Sequence, residues 1–326
     1  MFVNLAVATR YALKQNQLLS LPEKPMNLNL IRSDAVYREL LALAPEAREN
    51  HFIARLLWPF KDKFAAQNIP LKAKEPGRFD ALQLLSWMHL MPAALSEADR
   101  PAIDAIAGDE LWASCRATLE TSLNALDGHQ RLPVRDYTFT LLLGNSSSQM
   151  LALNKGYLGD GGIPGYIFIT LRPNAYTLPR LPAAIAHECD HNVRFQFCKW
   201  SHKTTLADWV VSEGLAEAFA AAQCGEQYLG PWVTATDAAT LARIKPIISA
   251  QLALTGMAAQ APYIYGDEIA ALQGHQPVGL PYAAGYAYGY HLIQAYLAST
   301  GKDIVAATFT PTAEILAATR EFQRSA

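Results

Sequence analysis

The chain has 326 residues, 51% of them hydrophobic, and its 27 basic side chains nearly balance 29 acidic ones for a net charge of −2. That length supports one large domain or two moderate ones with real cores. The near-neutral balance offers no basic stripe for nucleic acid and no acidic binding tail, and no run of about eighteen apolar residues predicts a membrane span.

The first 25 or so residues form a lead-in ending at Pro22 and Pro25. Its short apolar start, Phe2 to Ala8, lacks a basic flank and runs at once into Arg10, Lys14 and Gln15, so no signal peptide is expected and the cytoplasm is the default location. Ser33 is placed to cap a helix over Asp34–Leu43, ended by Ala44-Pro45. From Glu46 to about Ala66, Phe52, Ile53, Leu56, Leu57, Phe60 and Phe64 recur at helical spacing, with Pro59 expected to kink or split the helix. Further helices are predicted over Arg78–Met91 and Glu110–Leu126. His51 and His89 have no spaced partners here and are expected to serve the core or surface. These segments predict a helical N-terminal region, residues 1–132.

The period changes after Leu132-Pro133. Tyr137–Leu143 is a β-rich run, and Ser146-Ser147-Ser148 a polar loop. Five glycines follow between Gly156 and Gly165. A strand rather than a helix comes next and no Lys-Ser/Thr follows, so a phosphate loop fails its context; a turn is expected instead. Tyr166–Leu171 is the second predicted strand. Lying just before the next helix, it is the expected sheet edge on which an extended peptide could add by backbone pairing.

Leu181–Phe197 is predicted helical, with Pro182 in the tolerated first turn. It carries His187-Glu188-Cys189-Asp190-His191, an H-E-x-x-H pattern. Histidines at i and i+4 share one helix face, so both imidazoles can reach one metal. Glu188, one position on, can reach a water beside that metal without occupying it, and so can accept a proton as general base. A polar turn near Trp200–Thr205 leads to a second helix, Ala207–Gln223, which brings Glu213 back towards the histidines. A catalytic zinc needs three protein ligands and one open position, and Glu213 is the best third ligand. Glu217, four residues on, shares its face and is placed to accept a hydrogen bond from the free ring nitrogen of His187. The alternative, surface histidines on a solvated face, leaves unexplained why two carboxylates interrupt an alanine-rich helix.

This pattern resembles the gluzincin group of zinc peptidases. More closely, it resembles the DUF2268 family of proposed zinc-dependent proteases, through Ile163–Ile169 with Pro173-Asn174, Leu181–Arg194 and Glu213–Phe219, and more weakly through Gly285-Tyr286-Ala287-Tyr288-Gly289-Tyr290. The resemblance covers roughly Tyr137 to Phe309. It implies His187, His191 and Glu213 as ligands of one Zn2+ per chain and Glu188 as base, and it gives no substrate beyond a peptide or protein.

Beyond Gln223, a helix is predicted from Asp237 to about Leu254 with a break at Pro246, then a Gly/Pro-rich loop from Pro262 to Pro281, then a last helix over Ala283–Ser299. Attack on an amide builds charge on its oxygen that a second donor can share. Tyr286 is the favoured donor, with Tyr290 and His291 behind it; the alternative is an aromatic helix face close-packed through Gly285 and Gly289. Arg194 is expected to pair with an acidic neighbour. The four cysteines, Cys115, Cys189, Cys198 and Cys224, form no C-x-x-C pair and are expected as free thiols.

The expected architecture is α+β, mostly α: the helical region of residues 1–132, then a gluzincin-like domain of residues 133–326 with a small sheet and an active-site helix. The expected function is zinc-dependent peptide hydrolysis. The alternative is a non-catalytic, zinc-stabilised binding or regulatory protein, distinguished by whether Cys189, Asp190 or His202 closes the fourth zinc position.

Overall fold

The computed structural model describes residues 25–75 and 77–324; the lead-in expected for residues 1–24 lies outside them. The fold is α+β and mostly helical, around one four-stranded sheet of order β1-β2-β4-β3. The strands are β1 (Asn27–Ile31), β2 (Asp136–Leu143), β3 (Tyr157–Ile163) and β4 (Tyr166–Leu171). β1, β2 and β4 run parallel, and β3 runs antiparallel to β4. β2 and β4 are buried along most of their length, as expected of apolar runs covered on both faces.

Two sequence expectations are corrected here. Tyr166–Leu171 is not an edge strand: it pairs with β2 on one side and β3 on the other. The edge belongs to β3, inside the glycine-rich stretch expected to be only a turn. Glycine has low strand propensity, but pairing with β4 and packing on a helix override it.

Among the helices, α1 (Ser33–Ala42) and α3 (Lys61–Ala66) lie against one face of the sheet, and α2 (Pro45–Phe52) packs on α1. Ser33 is the first residue of α1 rather than its cap. The split expected at Pro59 is found: the chain passes from α2 through a π-turn, Ile53–Leu57, and a 3-10 turn, Trp58–Phe60, into α3. The helix expected over Arg78–Met91 shrinks to Ala81–Ser86. On the opposite face lie α4 (Asp109–His129) and α5 (Leu181–Phe197), with α6 (Leu206–Cys224) beyond α5. The Gly/Pro-rich loop expected over Pro262–Pro281 instead begins with the end of the helix Met257–Tyr265 and holds all of the helix Asp267–Leu272.

The last long helix, α7 (Ala284–Thr300), crosses α6 closely. At the crossing Gly289 faces Gly214, and a Cβ on Gly289 would lie 2.1 Å from the Val210 carbonyl oxygen. Residues on both sides of position 132 share the sheet and one buried core, since β1 pairs with β2 and α4 packs on α5. No helix among the described residues is long and apolar enough to cross a membrane.

Candidate metal centre

α5 spans the residues expected, and its H-E-x-x-H segment is buried. α6 begins at a capping box, in which Thr205 and Asp208 satisfy each other's backbone N–H groups. That box fixes where α6 begins, and the packing of α6 on α5 brings Glu213 and Glu217 to the histidines. Ligand atoms of His187, His191 and Glu213 all lie within 4.8 Å of one another and are buried. The two Nε2 atoms are 3.1 Å apart, and Glu213 Oε2 is 3.1 Å from His191 Nε2 and 3.5 Å from His187 Nε2.

Each group is oriented from behind. Glu217 Oε2 accepts from His187 Nδ1 at 2.9 Å, so His187 presents the lone pair of Nε2 to the cluster. Glu217 is itself fixed by the Gly230 N–H at 2.6 Å and the Trp232 indole N–H at 2.7 Å. The Trp209 indole N–H donates to Glu213 Oε1 at 3.1 Å, leaving Oε2 for the histidines. Glu188 Oε2 accepts from the Gly161 N–H at 2.6 Å. Asn192, next to His191, donates to the carbonyls of Gly161, Ile163 and Tyr166 and accepts from the Gly165 N–H, lashing the β3–β4 hairpin to α5. β3 can lie this close because it lacks side chains there: a Cβ on Gly159 would sit 2.2 Å from Glu188 Oε1.

The electrostatics are lopsided. Three buried carboxylates, Glu188, Glu213 and Glu217, meet two imidazoles, and among the described residues the ion-pair partners of Glu213 and Glu217 are His187 and His191. Burial pushes the Glu188 carboxyl up. Burial also works against ionised Glu213, but His191 and His187 outweigh it and hold that carboxyl at about 2. Burial opposes charge on His187 and His191, but the carboxylates around them outweigh it and raise both, so the imidazoles hold protons that a divalent cation such as zinc would replace, leaving two ring nitrogens and the Glu213 oxygen as its donor set.

Tyr286 is partly buried on α7, against Trp232 at 6.1 Å and Tyr265 at 6.3 Å between ring centroids. Burial, and then the charge of Glu213, push its hydroxyl well up, so it stays an O–H donor. Tyr290 lies elsewhere on α7 against His291. Of the residues considered as a fourth ligand, Cys189 is buried away from the cluster, Asp190 accepts from the Thr308 hydroxyl, and His202 is exposed. None joins the three-residue group among the described residues. Arg194, expected to pair with a carboxylate, instead donates to the Thr308 and Thr310 carbonyls and the Thr312 hydroxyl. All four cysteines are free.

Trp209, Trp232, Asn192 and the Gly161 N–H were not legible as site residues. Trp209 alone left a signal, sitting four positions before Glu213 on the same helix face.

Comparison with known proteins agrees with this geometry. An uncharacterised protein of Bacillus subtilis (strain 168), YjfC, is 34% identical over 274 residues, covering 83% of this chain and 91% of the relative. No solved structure matches significantly. The family profile described as a predicted Zn-dependent protease, DUF2268, matches residues 111–317. With its H-E-x-x-H helix, the glutamate opposite and that match, the chain belongs to the DUF2268 family of predicted zinc-dependent proteases.

Proposed function

We propose that this chain is a zinc-dependent peptidase with one Zn2+ held by His187, His191 and Glu213. The observation that carries the reading is the buried His187–His191–Glu213 cluster, with no fourth protein ligand among the described residues and Glu188 beside it. Three ligands and an open position suit catalysis; a structural site is closed by a fourth. When bound, zinc supplies Lewis acidity, lowering the pKa of water and polarising a carbonyl.

The chain's own groups do the rest. Glu188 is the general base: the Gly161 N–H holds its Oε2, which leaves Oε1 to accept a proton from the attacking water and pass it to the leaving amine. Glu217 fixes the His187 tautomer, and Trp209 fixes Glu213. Tyr286 donates its hydroxyl to the charge that develops on the carbonyl oxygen. The substrate is a peptide or protein, and the free side of β3 is the backbone edge beside Glu188 on which it would lie.

Glu188→Gln tests this. It should retain one zinc per chain and lose peptide hydrolysis by about 10²- to 10⁴-fold, the usual contribution of a general base. Full cleavage of a peptide library by this variant would remove Glu188 from the role. A wild-type protein that binds zinc and cleaves nothing in the library would favour the non-catalytic reading.

A further inference from the structure

Lys63 stands on the sheet face opposite the centre, in α3, with its side chain 1% exposed. Its Nζ lies 2.8 Å from Asp160 Oδ2, and 5.3 Å above the Phe168 ring. Phe60 and Phe64 pack on that same ring, at 4.4 and 6.2 Å between centroids. A lysine buried among phenylalanines is a costly choice: an apolar side chain of similar volume would serve folding as well or better. Its one ion pair among the described residues is to Asp160, and Asp160 is on β3, directly before Gly161.

β3 needs such a tether. It is an edge strand paired on one side only, it contains Gly159, Gly161 and Gly162, and its register shifts between Asp160 and Ile163. Glycine-rich edge strands are weakly held in register. In the pairing Asp160 stands opposite Phe168, so it points to the α3 side, while Gly159 and Gly161 lie against Glu188 on α5. The strand is therefore gripped from both faces: by Glu188 and Asn192 on one, and by Lys63 on the other.

We infer that Lys63 is a positioning residue for the base, acting through its ion pair with Asp160 to hold the irregular turn of β3 that aims the Gly161 N–H at Glu188. The inference rests on Glu188 being the base, and it gives the N-terminal helical segment a part in the reaction: it sets the geometry of a carboxylate it does not touch.

The test is read at the Gly161 amide. In zinc-loaded and in metal-free wild-type protein, a hydrogen bond of 2.6 Å to a carboxylate gives this proton a strongly downfield shift and slow exchange; Glu188→Gln, which changes the acceptor, identifies the resonance. Lys63→Met should move the proton upfield and speed its exchange by about tenfold or more, while amides of α5 and zinc content stay as in wild type. Lys63→Arg, which keeps the charge, should retain the downfield shift. Where peptide cleavage is measurable, Lys63→Met should lower it by about 10²-fold, the scale of a small misplacement at a reacting group. Should Lys63→Met fail to fold with Asp160 left unpaired, the Lys63→Met/Asp160→Asn double variant removes both charges and is read in the same way. An unchanged Gly161 shift and exchange rate in either variant overturns the inference. A wild-type protein without peptidase activity removes the base assignment but not the amide result, so the two failures are distinguishable.

Discussion

On one face of the sheet Lys63 meets Asp160, and the neutral imidazole of His89 bridges Leu85 and Thr170. On the other, His187 and His191 meet Glu188, Glu213 and Glu217. Both clusters set polar groups into the core, though the Asp160 side chain is 44% exposed, and the first is closed: each charge has its opposite and each ring nitrogen its partner. The second is not closed: His191 Nδ1 has no partner among the described residues, and Glu188 makes no ion pair there, so burial pushes its carboxyl up. Burial alone therefore does not mark a functional site. What sets this cluster apart is burial with its pairing left incomplete, the arrangement that a bound cation would complete.

The sharpest way to break this contrast is to remove Glu213, the proposed third ligand, from the open cluster. Glu213→Ala should take zinc from one ion per chain to almost none after dialysis, measured by metal analysis, and should erase the rise in melting temperature that zinc gives the wild type. Zinc retained at full stoichiometry would mean that Glu213 is not a ligand.

The closed face offers a test of comparable size. Burial lowers the His89 pKa to about 4, against an ordinary 6.5 in the unfolded chain, and its hydrogen bond to the Leu85 carbonyl only partly opposes this. Between those two pH values the unfolded chain binds the extra proton. The stability His89 contributes is therefore complete above pH 6.5, falls as the pH drops towards 4, and is level below that, a loss of up to ~3 kcal/mol. Denaturant melts should show a shallower decline between pH 7 and 4 for His89→Gln than for wild type; parallel declines would mean that the ring is not buried neutral.

The smallest expected effect separates the two glutamates of α6. Glu217 touches His187 but no second ligand atom, so Glu217→Ala should weaken zinc affinity by about 10- to 100-fold without abolishing it. A zinc titration ranking Glu217 above Glu213 would exchange their roles.

Much of this was legible from residue spacing. The i, i+4 histidines, the intervening glutamate and the E-x-x-A-E of the next helix repeat at 3.6-residue spacing, and the bounds of α5 and α6 fall within a residue of those expected. Local periodicity sets which side chains share a helix face, and it survives any tertiary context that leaves the helix intact. β3 escaped because glycine carries no strand signal; its strand character comes from β4 and from the flat approach to Glu188 that only glycine permits. For the same reason the edge was expected at β4, one strand inside the true edge. The end of Met257–Tyr265 was expected as loop because Pro262 opens a Gly/Pro-rich stretch, yet the helix carries Pro262 within it.

The sequence by itself determined which side chains share the inner faces of α5 and α6, His187, Glu188 and His191 on one and Glu213 and Glu217 on the other, because helix faces are written in short-range spacing. Tertiary structure decided which strand forms the edge and what orients each carboxylate. It joined Lys63 to Asp160 across 97 positions, and Trp232 to Glu217 across a turn. Such pairings depend on sheet order and on the rotation of one helix against another, which sequence periodicity does not encode.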